Sequence, residues 1–168
     1  LAYRCYLSPD ELSRMREEAR KIGHPIRSPW RNKTAADAPD APYVVRLKMP
    51  ESGATTIPDA VQGDVNVQHQ QLDDLVMLRS DGTPTYMLAV VVDDAAAGIN
   101  QVVRGADLLT STPRQIFLCA SLGYAAPNYI HLPMVLEGDG KKVSKRHGSA
   151  LLDYKSDGGE LIALALGF

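Results

Sequence analysis

The chain has 168 residues, of which 45% are apolar and 23% charged, with a net charge of −2 and a pI near 6.1. Such values belong to a soluble globular protein long enough to bury the core of one ordinary domain or two small ones. They exclude a disordered or fibrous chain, and the acidic balance excludes a protein that binds nucleic acid by bulk charge alone.

Other classes are disfavoured by what is absent. The longest apolar stretch, MLAVVV at 87–92, is far short of the roughly 20 residues that span a bilayer. LAYRCYLSPDEL at the start has no basic region followed by an apolar run, so no secretory leader is expected and the setting is read as cytoplasmic. Cys5 and Cys119 stand far apart without a CxxC pair, which predicts two free thiols and no zinc site. Charge is unevenly spread: residues 1–48 carry ten Lys/Arg against six Asp/Glu, residues 49–100 one against eight, and residues 101–168 seven against six. Any polyanion contact must therefore be local.

In chain order, SPDELSRMREEARKIG (8–23) predicts a helix. Ser8 and Glu11 form a capping box, Pro9 takes the first helical position, and Gly23 closes the end. Leu12, Met15, Ala19 and Ile22 form its buried stripe. HPIRSPWRNKTAADAPDAP is an irregular connection. YVVRLKM alternates, with Tyr43, Val45, Leu47 and Met49 on the inner side and Arg46 and Lys48 outside, as a half-buried strand does. GDVNVQ, DLVMLRS, a turn at Ser80-Asp81-Gly82, and then PTYMLAVVV continue the strand pattern, so residues 43–92 read mostly as sheet, with Asp93 and Asp94 as strand-end carboxylates. QVVRG is a further short strand. TSTPRQIFLCASLGY is a helix with a Ser/Thr cap, Pro113 in its first turn and Gly123 at its end, and NYIHLPMVL is again strand-like. Strand, helix, strand and then a glycine-bounded loop is the order of an open α/β sheet, with ligands at the strands' carboxyl ends.

That loop is GDGKKVSKRHG (138–148), with Lys141, Lys142, Lys145 and Arg146 between glycines. A basic cluster is by default solvated surface. It does not fit the Walker pattern, because the glycines lie too close before the lysines and no Ser/Thr follows Lys145. A glycine-hinged loop whose ammonium groups swing onto a polyphosphate remains.

VSKRHG after HLPMVLEGDGKK resembles the KMSKS signature of class I aminoacyl-tRNA synthetases in the form found in glutamyl-tRNA synthetases. LDDLVMLRSDGTPTYMLAVVVDD and INQVVRGADLLTSTPRQIFL are similar to that family's blocks, in the same order, and the resemblance runs from about residue 2 to residue 155. It implies an α/β fold: the second half of a Rossmann-like nucleotide-binding domain at 85–138, after an inserted α+β acceptor-stem-binding region at 1–84, and before a KMSKS-type loop and the start of a stem-contact region at 139–168. The implied reaction is activation of glutamate with ATP and magnesium to glutamyl adenylate, followed by transfer to tRNA. Lys142, Ser144 and Lys145 would be catalytic; Lys142, Lys145, Arg146, Met134 and Val135 would contact ATP; Tyr86 and Arg104 would hold glutamate. Independently of the resemblance, Arg104 could instead pair with Asp93, Asp94 or Asp107, and Tyr86 could be an ordinary strand aromatic. Magnesium would arrive with ATP rather than in a protein cage.

The chain also departs from the family's pattern. The second class I signature, HIGH, is not in the chain, and IGHP at 22–25 serves as the terminator of the capped helix, so these residues alone are expected not to complete adenylation. Many relatives have asparagine where Val90 stands. Those with zinc have a second cysteine where Leu7 stands. Ala106 and Leu108 replace an acidic residue and a histidine common in ordinary glutamyl enzymes. VVRGADLLTSTPRQI also resembles glutamyl-queuosine tRNA(Asp) synthetase, and a non-catalytic tRNA-binding module derived from the same fold is the third alternative. Arg14, Arg16, Arg20, Lys21, Arg27 and Arg31 are the residues expected to meet tRNA phosphates.

Overall fold

A computed structural model of the chain describes residues 1–23 and 25–136. The chain divides into two compact units, Leu1–Leu132 and Pro133–Phe168; of the second, only Pro133–Leu136 lie among the described residues.

In the first unit, β1 (Ala2–Cys5) leads into helix α1 (Pro9–Ile22). The Ser8 hydroxyl accepts from the Glu11 amide at 3.2 Å, and the Glu11 carboxylate accepts from the Ser8 amide at 2.8 Å. These two bonds satisfy donors that a helix start otherwise leaves to water, and they hold the Glu11 carboxyl below its ordinary range. Gly23 ends the helix at φ 69°, a left-handed conformation that costs glycine little. The expected buried face is only partly realised. Leu12, Met15 and Ala19 are half-buried, Ile22 is 67% exposed, and no residue of α1 is fully buried. A helix with so little packing depends on its cap, so Ser8→Ala should cost about 1 kcal/mol and lower the helical circular dichroism signal before the main thermal transition.

Strands β2 (Val44–Leu47) and β5 (Leu75–Leu78) complete a three-stranded antiparallel sheet in the order β1-β2-β5. The simple alternation expected for YVVRLKM does not hold, because the β2–β5 register shifts between Val45 and Arg46. The irregularity turns Arg46 inward to 7% exposure, beside buried Leu47, and its Nη1 donates to the Asp74 carbonyl at 3.0 Å. A bulge that breaks the period of two is enough to bury a residue that alternation places outside.

The second sheet has the order β4-β3-β7-β6. The hairpin of β3 (Ala54–Asp59) and β4 (Gly63–Gln68) is antiparallel, while β3 runs parallel to β7 (Asn128–Leu132), and β7 parallel to β6 (Gln101–Gly105). From β6 the chain passes through a 3-10 segment, Ala106–Ser111, into α3 (Thr112–Leu122) and returns as β7. This is the strand–helix–strand unit expected from the sequence.

The turn at 80–82 forms as expected, with Gly82 at φ 81°, but PTYMLAVVV is not a strand. After a single bridge between Leu78 and Pro84, residues Tyr86–Ala96 form helix α2, and Asp93 and Asp94 lie on its last turns. A short apolar run has no period that separates a strand from a buried helix. Here Val91 is buried, and Met87, Leu88 and Val90 pack against the main core of Leu47, Met49, Leu72, Leu75, Leu118 and Cys119. The expected Ser/Thr side-chain cap of α3 is also absent. Ser111 makes no capping bond because the 3-10 segment feeds directly into the helix.

Candidate active site

The carboxyl ends of β3, β7 and β6 bring Asp59, His131 and Arg104 together, with the first turn of α3 beside them. The Arg104 guanidinium is anchored along two edges. Its Nε donates to His131 Nε2 at 3.1 Å, and its Nη2 donates to Thr112 Oγ1 and Gln115 Oε1, both at 2.7 Å, with the Leu108 carbonyl at 3.5 Å. These four acceptors are uncharged, so they orient the guanidinium without cancelling its charge. Its carbon lies 5.0 Å from the centre of the Tyr129 ring, a cation–π contact that fixes the plane from one face. The hydrogen bonds run to α3, β7 and the 3-10 segment rather than to Asp93 or Asp94.

Tyr129 is itself buried, and burial pushes its phenol up to about 12, with Cys119, Asp94 and Tyr86 adding to the effect and Arg104 opposing it. Val90, Asp94, Arg104, Gln115 and Tyr129 line one cleft of about 10 Å³. That is room for about one water molecule, so the cleft backs the arginine and does not itself hold a metabolite. Val90, which stands where many relatives have asparagine, shares this cleft with Arg104.

Behind Arg104, Asp59 and His131 are completely enclosed, each side chain 0% exposed. His131 Nδ1 lies 2.7 Å from Asp59 Oδ2, which also accepts from the His131 amide at 2.9 Å. Asp59 Oδ1 accepts from the amides of Val61 and Gln62, each at 2.9 Å. Burial alone would raise the Asp59 carboxyl; the bonds from Gln62, Val61 and His131 outweigh it and bring it down to about 2.

Tyr86 is not the strand aromatic of the alternative reading. It stands at the first turn of α2 and is 55% exposed. Met134 is half-buried and Val135 is 67% exposed, both in the second unit. Lys142, Ser144, Lys145 and Arg146 lie outside the described residues. Asp59, His131, Thr112 and Gln115 have no signal in the sequence. His131 is one histidine in a strand-like run, and its partner Asp59 is 72 positions away.

Of the six basic residues expected to meet phosphates, two are engaged internally. Arg31 pairs with Asp74, with Glu51 at 3.1 Å and with the Met49 carbonyl at 2.8 Å. Arg27 pairs with Glu51 at 3.6 Å and donates to the carbonyls of Pro50 and His69. Arg14, Arg16, Arg20 and Lys21 remain exposed on α1. Among the described residues there is no cluster of three or more His, Cys, Asp or Glu arranged to hold a metal ion, and Cys5 and Cys119 are buried free thiols. No helix among the described residues is long and apolar enough to cross a membrane.

The sequence profile of the tRNA synthetases class I (E and Q), catalytic domain, matches residues 1–164. The chain belongs to that family. Class I synthetases of the E and Q type that resemble it include the glutamate–tRNA ligase of Phenylobacterium zucineum, 52% identical over 94% of this chain and 34% of that protein. Glutamate–tRNA ligase 2 of Paramagnetospirillum magneticum is 53% identical over 95% of this chain and 34% of that protein. Among solved structures, the glutamate–tRNA synthetase of Elizabethkingia anophelis superposes with a TM-score of 0.73 at 31% identity, over 90% of this chain and 34% of that one. A glutamate tRNA ligase from Elizabethkingia meningosepticum, crystallised in complex with its amino acid, has the same TM-score at 32% identity, over 90% of this chain and 33% of that one. The chain thus spans about a third of the length of these class I relatives.

Proposed function

We propose that the chain is the amino-acid-binding and signature-loop part of a glutamate–tRNA ligase, which activates glutamate with ATP and passes it to tRNA(Glu) in the cytoplasm. The observation that carries this reading is Arg104: a guanidinium fixed by uncharged acceptors at the carboxyl ends of parallel strands, where an open α/β sheet takes its ligand. With Nε and Nη2 engaged in positioning, Nη1 is the donor assigned to the glutamate side-chain carboxylate. Such a charged donor favours a carboxylate over the neutral amide of glutamine. Tyr86, exposed at the start of α2, is assigned to the same substrate.

In this reading the α-carboxylate of glutamate attacks the α-phosphorus of ATP and pyrophosphate leaves. The acyl group then moves to a hydroxyl of the terminal adenosine of tRNA. The nucleophile arrives ionised, so the protein's contribution is position and charge. Lys142, Ser144, Lys145 and Arg146 are assigned to the triphosphate, with Met134 and Val135 on the nucleotide and magnesium brought by ATP. Residues 1–84 are assigned to the acceptor stem, with the exposed arginines of α1 as phosphate contacts, 85–138 to the second half of the nucleotide-binding fold, and 139–168 to the signature loop and the start of a stem-contact region.

The test is a chimeric ligase in which residues 1–164 replace the aligned segment of the Phenylobacterium zucineum enzyme. Glutamate-dependent ATP–pyrophosphate exchange within about tenfold of the parent, a loss of no more than about 1.4 kcal/mol in activation free energy, is expected. A soluble chimera that exchanges no faster with this segment's Arg104 than without it would overturn the assignment.

A further inference from the structure

The enclosed pair Asp59 and His131 cannot touch a substrate, yet one of its atoms bonds the residue that does so in the reading above. Asp59 receives four donors: two amides of its own turn on Oδ1, and the backbone and ring of His131 on Oδ2. A carboxylate bonded on both oxygens cannot rotate. As an acceptor it takes the imidazole proton on Nδ1. His131 Nε2 is then a lone pair, the form that can accept from Arg104 Nε–H at 3.1 Å. Thr112 Oγ1 lies at the same 3.1 Å from Nε2; the opposite tautomer could donate to that hydroxyl, but it would set its N–H against the Arg104 Nε–H. Gln62 Nε2 clamps the same residue by donating to the His131 carbonyl at 2.8 Å.

We propose that Asp59 and His131 are positioning residues for Arg104, in which the carboxylate fixes the imidazole tautomer and the imidazole lone pair sets the plane of the guanidinium. The proposal rests on the reading that Arg104 binds the substrate carboxylate. The guanidinium is then held from β7 through His131 and from α3 through Thr112 and Gln115, and a single donor nitrogen is left facing the substrate. The competing role for the pair is plain structure: a buried bond that pins β3 to β7 and leaves Arg104 to orient itself.

Isosteric replacements separate the two. In His131→Gln the side-chain oxygen reaches the place of Nε2 and can accept from Arg104, whereas in His131→Asn the amide reaches only the place of Nδ1 and Asp59. Asp59→Asn presents a donor to the ring and drives the proton to Nε2, against Arg104. In the chimeric ligase, His131→Asn and Asp59→Asn are expected to raise KM for glutamate about tenfold, as the loss of one charge-assisted hydrogen bond would, with kcat changed less than about twofold. His131→Gln should stay within about threefold of the unsubstituted value. In the unsubstituted 168-residue chain, ¹⁵N NMR should find the His131 proton on Nδ1 and a protected Arg104 Nε–H, and Asp59→Asn should reverse the tautomer.

An unchanged KM in the Asn variants, equal impairment in His131→Gln and His131→Asn, or a proton on Nε2 in the unsubstituted chain would overturn the positioning role. Arg104→Lys supplies the control. If it raises KM while the Asp59 and His131 variants do not, the positioning role alone falls. If it leaves KM unchanged, the substrate assignment falls and the positioning role falls with it.

Discussion

Arg104→Lys in the chimeric ligase is expected to lower kcat/KM for glutamate about 100-fold, with most of the loss in KM, equivalent to about 2.7 kcal/mol of binding. The lysine keeps the charge but loses the planar fork. In this structure Nε and Nη2 engage His131, Thr112 and Gln115; in the proposed reading the third nitrogen serves the ligand. An ammonium cannot fill three acceptors on two elements and still project a donor. It would either stay with Thr112 and Gln115 or leave them. Arg104→Leu should be worse, because it also removes the charge and leaves those acceptors unpaired. Exchange kinetics over a glutamate titration check both variants. Loss of stability alone would lower the amount of active enzyme and leave KM where it was. An unchanged KM in Arg104→Lys would mean that the substrate carboxylate is bound elsewhere.

The legibility of this fold in its sequence divides by range. Helix α1 is legible because its signals are local: Ser8, Glu11 and Gly23 act within one turn of their positions. The same holds for α3 through Pro113 and Gly123, though not its expected Ser/Thr cap, and for β6 and β7 around it. Tyr86 and Arg104 stand out because they sit inside recognisable blocks. Helix α2 reads wrongly as a strand because MLAVVV suits a strand as well as a buried helix, and tertiary packing of Val91 against Leu118 and its neighbours decides between them. Strand β3 escapes notice because Pro58 and a buried aspartate do not look like a strand. Arg46 reads as outward-facing because a register shift leaves no mark in the sequence. The support of the site is the least legible part. Asp59 and His131 are 72 positions apart, and neither has a neighbour in sequence that hints at the other.

The second large effect concerns stability. Asp74, its side chain 0% exposed, is the hub of the first sheet. Its Oδ1 accepts from the Met49 amide at 2.9 Å and from Arg31 Nη1, and its Oδ2 accepts from the Tyr3 hydroxyl at 2.8 Å. Burial and the Asp74 charge both push the Tyr3 phenol up, so Tyr3 stays a donor. Asp74→Ala removes one carboxylate and strands three donors: a guanidinium 11% exposed, a hydroxyl, and the amide of fully buried Met49. Arg31 keeps Glu51 and the Met49 carbonyl but loses its buried carboxylate, and breaking a buried pair of this kind costs about 3–5 kcal/mol. Asp74→Asn should lose about half as much, since its oxygen still serves Met49 and its amide can donate to the Tyr3 oxygen. Arg31→Met added to Asp74→Ala should restore part of the loss, because the guanidinium that lost its buried carboxylate leaves too. Urea denaturation of the 168-residue chain followed by Trp30 fluorescence measures all three, since the only tryptophan adjoins Arg31 in the 3-10 turn Pro29–Asn32. If Asp74→Ala moves the midpoint by less than about 1 kcal/mol equivalent, the carboxylate is not what joins β1, β2 and that turn. In that case apolar packing around Met49 and Leu47 holds the sheet by itself.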